Sequence, residues 1–252
     1  MCKNENLRSE TRIYDQSVNI DSGSVQSFWD SRAQKDSSIK SVLLGADFAE
    51  NSGILRNERE CQILCNHLGE GKFTILDIGC GMGRWAKNLE PKIKLYNGID
   101  FSSEYVKSAS KSFETNSQIS FFQMSATQLD LSILLNNYDL IIMTAVAMYI
   151  NDDELSKVFS DINKHFNSSF IYFHESVSIL PHRLTLKDFD SAELKSKYNA
   201  IYRTGDEYED FFAQYLTNYQ FDKDATGLLL DKDTGARDET NARYWFLKRK
   251  KS

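Results

Sequence analysis

Thr74-Ile75-Leu76-Asp77-Ile78-Gly79-Cys80-Gly81-Met82-Gly83-Arg84-Trp85 decides how the rest of the chain is read. Its first half is a short apolar run with a β-branched bias, the pattern of a buried parallel strand, and it stops at three glycines spaced two apart. Glycine lacks a Cβ, so such a turn accepts φ > 0 and lets a ligand lie against the backbone, while the following helix offers free N–H groups. The stretch therefore reads as a strand, a turn and a helix that bind a nucleotide-type ligand. A dinucleotide fingerprint, G-x-G-x-x-G, would need its third glycine at position 84. Arg84 stands there, which disfavours NAD chemistry.

The next strand, predicted from Lys92 to Ile99, ends at Asp100, 21 positions after Gly79. A doubly wound sheet places an acidic residue at that point to accept the two ribose hydroxyls of a nucleotide. Asp100 supports an adenosine-type ligand without choosing among them.

The choice comes from a resemblance. The run D-x-G-x-G-x-G, Asp77 to Gly83, resembles the first motif of the class I S-adenosylmethionine (SAM) dependent methyltransferases, and Y-D-L-I-I-M-T-A-V-x-M-Y-I-N-D, Tyr138 to Asp152, resembles their fourth. The resemblance implies that Gly79 and Gly81 lie against the methionine part of SAM and that Asp77 organises its amino-acid end. It also implies that Thr144 and Ala145 stand beside the transferred methyl group and that Tyr149 faces the acceptor. F-W-D-x-R-A, Phe28 to Ala33, resembles the N-terminal cap of small-molecule methyltransferases, in which Trp29 and Arg32 would close the site; an amphipathic surface helix anchored by Phe28 and Trp29 is the alternative. The chain departs from the family at Ser125-Ala126, a position often held by Asp-Ala, whose carboxylate takes the adenine amino group. Ser125 is a weaker, neutral partner, so adenine recognition is expected to lean on backbone groups and on stacking by Phe101.

The expected architecture is α/β: a doubly wound, seven-stranded Rossmann-like methyltransferase sheet with its last strand antiparallel and an N-terminal helical cap. Five parallel strands are predicted, the third at Ile119 to Met124, the fourth at Tyr138 to Thr144 and the fifth at Ser169 to Glu175. The family hairpin is expected at Ala225 to Asp231 and Ala242 to Lys248. Residues 1–24 are expected to form a flexible arm, 25–70 the cap, and 71–252 the SAM-binding domain with an acceptor-binding insertion at 176–208. In the helix predicted from Leu55 to Leu68, the charges Arg56, Glu58, Arg59 and Glu60 read as a solvated face. Arg56 is alternatively a candidate for the SAM carboxylate.

Methyl transfer from a sulfonium is an in-line displacement, so positioning supplies much of its acceleration, and a hydroxyl acceptor also needs its proton removed. His174 and His182 are the histidine candidates for that work; Glu175 is a candidate to bind an acceptor hydroxyl or orient a histidine. Arg183 and Arg203, with Tyr198 and Tyr202, suit a planar or phosphate-bearing acceptor, or else form a solvated helical face with buried tyrosines. The run E-S…H-R-L-T-L…Y-N-A-I-Y-R-T-x-D-E-Y, between Glu175 and Tyr208, resembles methyltransferases encoded with bacterial capsule and surface-glycan pathways. The expectation is O-methylation of a small polar acceptor, such as a sugar or a phosphoramidate group. N-methylation of an amino sugar or other small amine, and a non-catalytic SAM-binding module, are the alternatives.

Composition narrows the partners. In 252 residues, 30 Lys and Arg face 36 Asp and Glu, for a net charge of −6. A nucleic-acid binder needs a cationic footprint, so no nucleic acid is expected. No window approaches 18 apolar residues and the first residues carry no apolar leader, so a cytoplasmic location without membrane insertion is expected. Cys61 and Cys65 lack the C-x2-C spacing and second ligand pair of a zinc site, so thiols and no metal are expected.

Overall fold

In this computed structural model of the chain, the described residues are 10–35, 42, 52–230 and 237–251. The parts of the predicted arm and cap on residues 1–9, 36–41 and 43–51 lie outside them, as does Asp231.

Strands β1 (Arg12–Tyr14), β2 (Phe73–Ile78), β3 (Ile93–Asp100), β4 (Ile119–Gln123), β5 (Asn137–Thr144), β6 (Asn167–Ser178), β7 (Leu184–Ser191), β8 (Ser196–Tyr202), β9 (Tyr219–Leu228) and β10 (Thr240–Arg249) alternate with six helices. These are α1 (Ser22–Lys35), α2 (Ser52–Leu68), α3 (Arg84–Asn88), α4 (Ser103–Ser112), α5 (Asp152–His165) and α6 (Gly205–Tyr215). Seven strands make the main sheet, in the order β4-β3-β2-β5-β6-β10-β9. The five from β2 to β6 run parallel, and β10 lies antiparallel to both β6 and β9. This is the expected doubly wound sheet with its last strand reversed.

Strands buried on both faces should be apolar throughout, with successive residues serving opposite layers. Ile75, Leu140, Ile142 and Tyr172 pack with Leu64 and Leu68 of α2 and Trp85 of α3. Their neighbours Leu76, Ile78, Ile141 and Phe173 pack against Leu155, Phe159 and Ile162 of α5 and Phe212 of α6. So α2, grouped with the cap in the sequence reading, belongs to the wall of the main sheet. The Ser102 side chain caps α4 by accepting from Tyr105 N.

Three expectations are corrected. Residues 12–14 are no loose arm: β1 adds to the edge of β7, pairing Ile13 with Thr185, and β7 pairs in turn with β8. The segment is too short to show a period by itself, and its backbone partners are remote in sequence. The 184–202 region is likewise a β-hairpin rather than a helical face. The sixth strand of the main sheet begins at Tyr219, not Ala225, because an edge strand tolerates polar residues such as Lys223 and Asp224 that break the apolar pattern. Among the described residues no helix is long and apolar enough to cross a membrane.

Candidate active site

The glycine turn and Asp100 form one locked unit. Gly79 N and Cys80 N both donate to Ile99 O, at 2.8 and 2.9 Å, while Gly79, Gly81 and Gly83 take φ of 75°, 51° and 78°. A Cβ on Gly79 would stand 2.2 Å from Val146 Cγ2, so this backbone admits no side chain as it is placed. Gly81 N donates to Asp100 Oδ2 and Ser102 N to Oδ1, each at 2.9 Å. Each oxygen keeps a further lone pair for a ligand hydroxyl. Burial pushes the Asp100 carboxyl up to about 6, against the pull of those two N–H groups.

A cavity of about 1340 Å³ opens over this cradle, larger than a typical single-ligand pocket and roomy enough for a cofactor and an acceptor together. Gly79, Gly81, Asp100, Phe101, Ser125 and Ala126 line it, together with Trp29 of α1. Tyr149, Tyr198 and Tyr202 line it too, with Arg56, Thr144 and His174 also on the wall. Trp29 meets Tyr149 edge-on at 5.4 Å, Phe28 meets Tyr198 at 5.4 Å, and the hydroxyls of Tyr149 and Tyr198 bond at 2.7 Å. Burial raises all three tyrosine hydroxyls above their ordinary range, which keeps them neutral.

A buried polar network backs the wall at His174. His174 Nδ1 and Glu60 Oε1 are 2.7 Å apart, and Glu60 Oε2 accepts from Arg84 Nη1 at 2.8 Å. Arg84 Nη2 and Trp85 Nε1 both donate to Thr144 Oγ1 at 3.1 Å. Burial raises the Glu60 carboxyl, yet the charge of Arg84 and the hydrogen bonds from His174 and Arg84 override it and hold the group below the carboxylate range. Glu60 was expected on a solvated face. Its four-residue spacing to Leu64 and Leu68 puts all three on the buried side, a signal that was present in the sequence. Ala145, at φ 56°, is a second feature that sequence reading missed: a non-glycine residue held left-handed at the end of β5, its N–H on His174 O at 2.8 Å.

Five expected site residues lie off the cavity wall. Asp77 sits beneath the turn, where Tyr96 OH donates to Oδ2, and burial pushes its carboxyl up to about 7. Glu175 accepts from the backbone N–H of Val146 and Ala147 at 2.7 Å and of Met148 at 3.3 Å. Arg203, fully buried, donates to Ala147 O, Ile150 O and Asp152. Arg183 binds Asp152 and Glu207, each at 2.7 Å. His182 packs edge-on against Tyr14. For Glu175 and Arg203 the reason is the turn after β5: it leaves N–H and C=O groups unpaired in the interior, and these claim the nearby charges. A sequence shows the charges but not the turn that claims them.

Residues 75–168 match the family model of a methyltransferase domain. Over that stretch the chain is similar to methyltransferase domains. Phosphoethanolamine N-methyltransferase 1 of Zea mays is 26% identical over 152 residues, a match spanning 60% of this chain and 29% of that protein. The chain thus spans under a third of the curated relatives it matches. A SAM-dependent methyltransferase of Leishmania major superposes with a TM-score of 0.66 at 18% identity, covering 90% of this chain and 82% of that one. Haemonchus contortus phosphoethanolamine N-methyltransferase 1, in complex with phosphoethanolamine and S-adenosylhomocysteine, gives 0.67 at 16%, covering 92% and 49%. These likenesses share the fold. They lend no support to the surface-glycan pathway expected from the 175–208 run.

The residues present fit SAM as the domain's cofactor: two glycines at positive φ bare the backbone on the cavity wall, and a carboxylate with spare lone pairs stands beside them.

Proposed function

We propose that the domain transfers a methyl group from SAM to a hydroxyl of a small polar acceptor, with His174 accepting the hydroxyl proton. One observation carries the reading. His174 pairs with Thr144, the last pair in the parallel register of β5 and β6, at the ligand-facing edge of the sheet, and it lines the same cavity as Gly79 and Asp100.

Gly79, Gly81 and Asp100 would hold the cofactor, with Phe101, Ser125 and Ala126 on its adenine side and Arg56 and Thr144 toward its methionine end. When bound, SAM supplies an electrophilic sulfonium methyl group. His174 Nε2 would accept the proton of the acceptor hydroxyl as its oxygen takes the methyl group, leaving S-adenosylhomocysteine, and would pass that proton to water. Trp29 and the three tyrosines exclude water from the acceptor and offer neutral hydroxyls to its polar groups. Asp77, from beneath, supports the turn.

N-methylation of a small polar amine is the second reading. It is favoured by the aromatic walls of Trp29, Tyr149 and Tyr198, which attract cationic groups, and by the amine acceptors named for the maize and Haemonchus proteins.

The test is S-adenosylhomocysteine release across a panel of sugar phosphates, phosphoramidates and phosphoethanolamine, with the wild type and His174→Asn. Turnover of a hydroxyl acceptor that His174→Asn abolishes supports the first reading. Turnover confined to amines and indifferent to His174→Asn replaces it with the second.

A further inference from the structure

We infer that Glu60 is a positioning residue for His174: a carboxylate from α2, anchored by Arg84 of α3, orients the ring so that Nδ1–H faces the protein and Nε2 faces the cavity. The inference rests on the reading of His174 as the proton acceptor.

The geometry allows one arrangement. A carboxylate only accepts hydrogen bonds, so the ring nitrogen 2.7 Å from Glu60 Oε1 must carry a hydrogen. In the neutral ring this leaves Nε2 as the basic nitrogen, and among the described residues it has no hydrogen-bond partner. The Glu60 carboxylate is itself held on both oxygens. Tyr172 OH donates to Oε1 at 3.3 Å and Arg84 Nη1 to Oε2 at 2.8 Å, with the side chains of Glu60 and Arg84 only 3% and 10% exposed. Arg84 counters the charge that burial would otherwise neutralise, which keeps Glu60 an acceptor through the neutral range. The charged and titratable groups around the ring are Arg56 and Glu60 of α2, Arg84 of α3, Tyr172 on its own strand and Tyr244 opposite it on β10. Arg84 occupies the position where a dinucleotide fold has its third glycine. The departure that argued against NAD therefore brings in the cation that lets a buried glutamate stay charged behind the histidine.

The first measurement needs no variant. Long-range ¹H–¹⁵N spectra of the histidine-labelled protein report which ring nitrogen carries the proton, and His174→Asn assigns the signal among four histidines. The expected result is a neutral ring that carries its proton on Nδ1 and leaves Nε2 bare. A neutral ring protonated on Nε2 instead, or one protonated on both nitrogens under the conditions of turnover, would overturn the proposal. Glu60→Gln should then redistribute the tautomers and lower kcat by about tenfold or more, with KM and S-adenosylhomocysteine affinity within about twofold. Unchanged kcat and tautomer in that variant also overturn it. Turnover that survives His174→Asn instead sinks the reading of His174, leaving the spectra to judge the Glu60 contact alone.

Discussion

Replacing Glu175 separates a scaffold from a catalyst. Its Oε1 accepts from Val146 N and Ala147 N, and its Oε2 from Met148 N, so one buried carboxyl organises the turn that carries Ala145 and Tyr149 to the cavity. In Glu175→Ala these three donors lose their partner. At about 1–3 kcal/mol for each unsatisfied buried group, and less for the long Met148 bond, the loss is about 3–6 kcal/mol. That is a large share of a domain stability of about 5–15 kcal/mol. Glu175→Gln keeps an oxygen for Val146 and Ala147 and sets an amide N–H₂ against Met148 N–H alone, a loss of about 1–2 kcal/mol. Burial pushes the Glu175 carboxyl up to about 8, against the three N–H groups, so at neutral pH the glutamine resembles the form already present. The sign follows: a folded pKa above the unfolded one gives stability that is complete below the unfolded value and is lost as pH rises through about 8. Urea denaturation at several pH values should find the wild type weakening toward alkaline pH more steeply than Glu175→Gln, with Glu175→Ala barely folded. Turnover should survive in the glutamine variant. An alanine variant within about 1 kcal/mol of wild type would refute the scaffold, and a stable but inactive glutamine variant would return Glu175 to the chemistry.

Three further outcomes are expected. Asp100→Ala should lower S-adenosylhomocysteine affinity by about 10–100-fold in calorimetry, since hydrogen bonds to a charged group are worth about 1.5–3 kcal/mol each. Wild-type affinity should fall as pH drops through about 6, where Asp100 protonates, and a flat profile with unchanged affinity in the variant would remove its ribose role. Gly79→Ala should destabilise by about 2–4 kcal/mol, from left-handed strain and from collision with Val146, and adding Val146→Ala should recover only the collision part in a double-mutant cycle. Arg203→Lys should cost about 3 kcal/mol in thermal or urea unfolding, because an ammonium cannot reach Ala147 O, Ile150 O and Asp152 together, while the acceptor KM of the folded fraction stays near wild type.

The parallel strands were legible because each is a local apolar run bounded by a turn: Thr74 to Ile78 and Tyr138 to Thr144 need no distant partner to be read. The cradle was legible for the same reason, its glycines and Asp100 falling at fixed spacing along β2 and β3. Meaning that depends on remote contacts was lost. Arg183 and Arg203 have the chemistry of anion binders, yet their role is set by carbonyls and carboxylates around residues 147–152. His174 and His182 look alike in sequence; only the pairing of β5 with β6 brings the first to the cavity, while the second lies beside β1. Glu60 hid behind Arg56, Glu58 and Arg59, and its burial follows from α2 lying on the sheet.

The small sheet also has a consequence for the order of assembly. Thr11 O accepts from Lys187 N, and Arg12 and Tyr14 reach Glu239, in contacts that span as many as 227 residues. The main sheet grows from neighbouring β-α units, but the small sheet is stitched between early and late parts of the chain, so it forms only after they have met. Held at its edge by three residue pairs, β1 is the natural first element to come away, and its amides should exchange with solvent well before those of β2 and β5. Arg12 of β1, Leu186 of β7 and Tyr202 of β8 all line the cavity, so the part of its wall that docks last is fastened far from the reacting atoms.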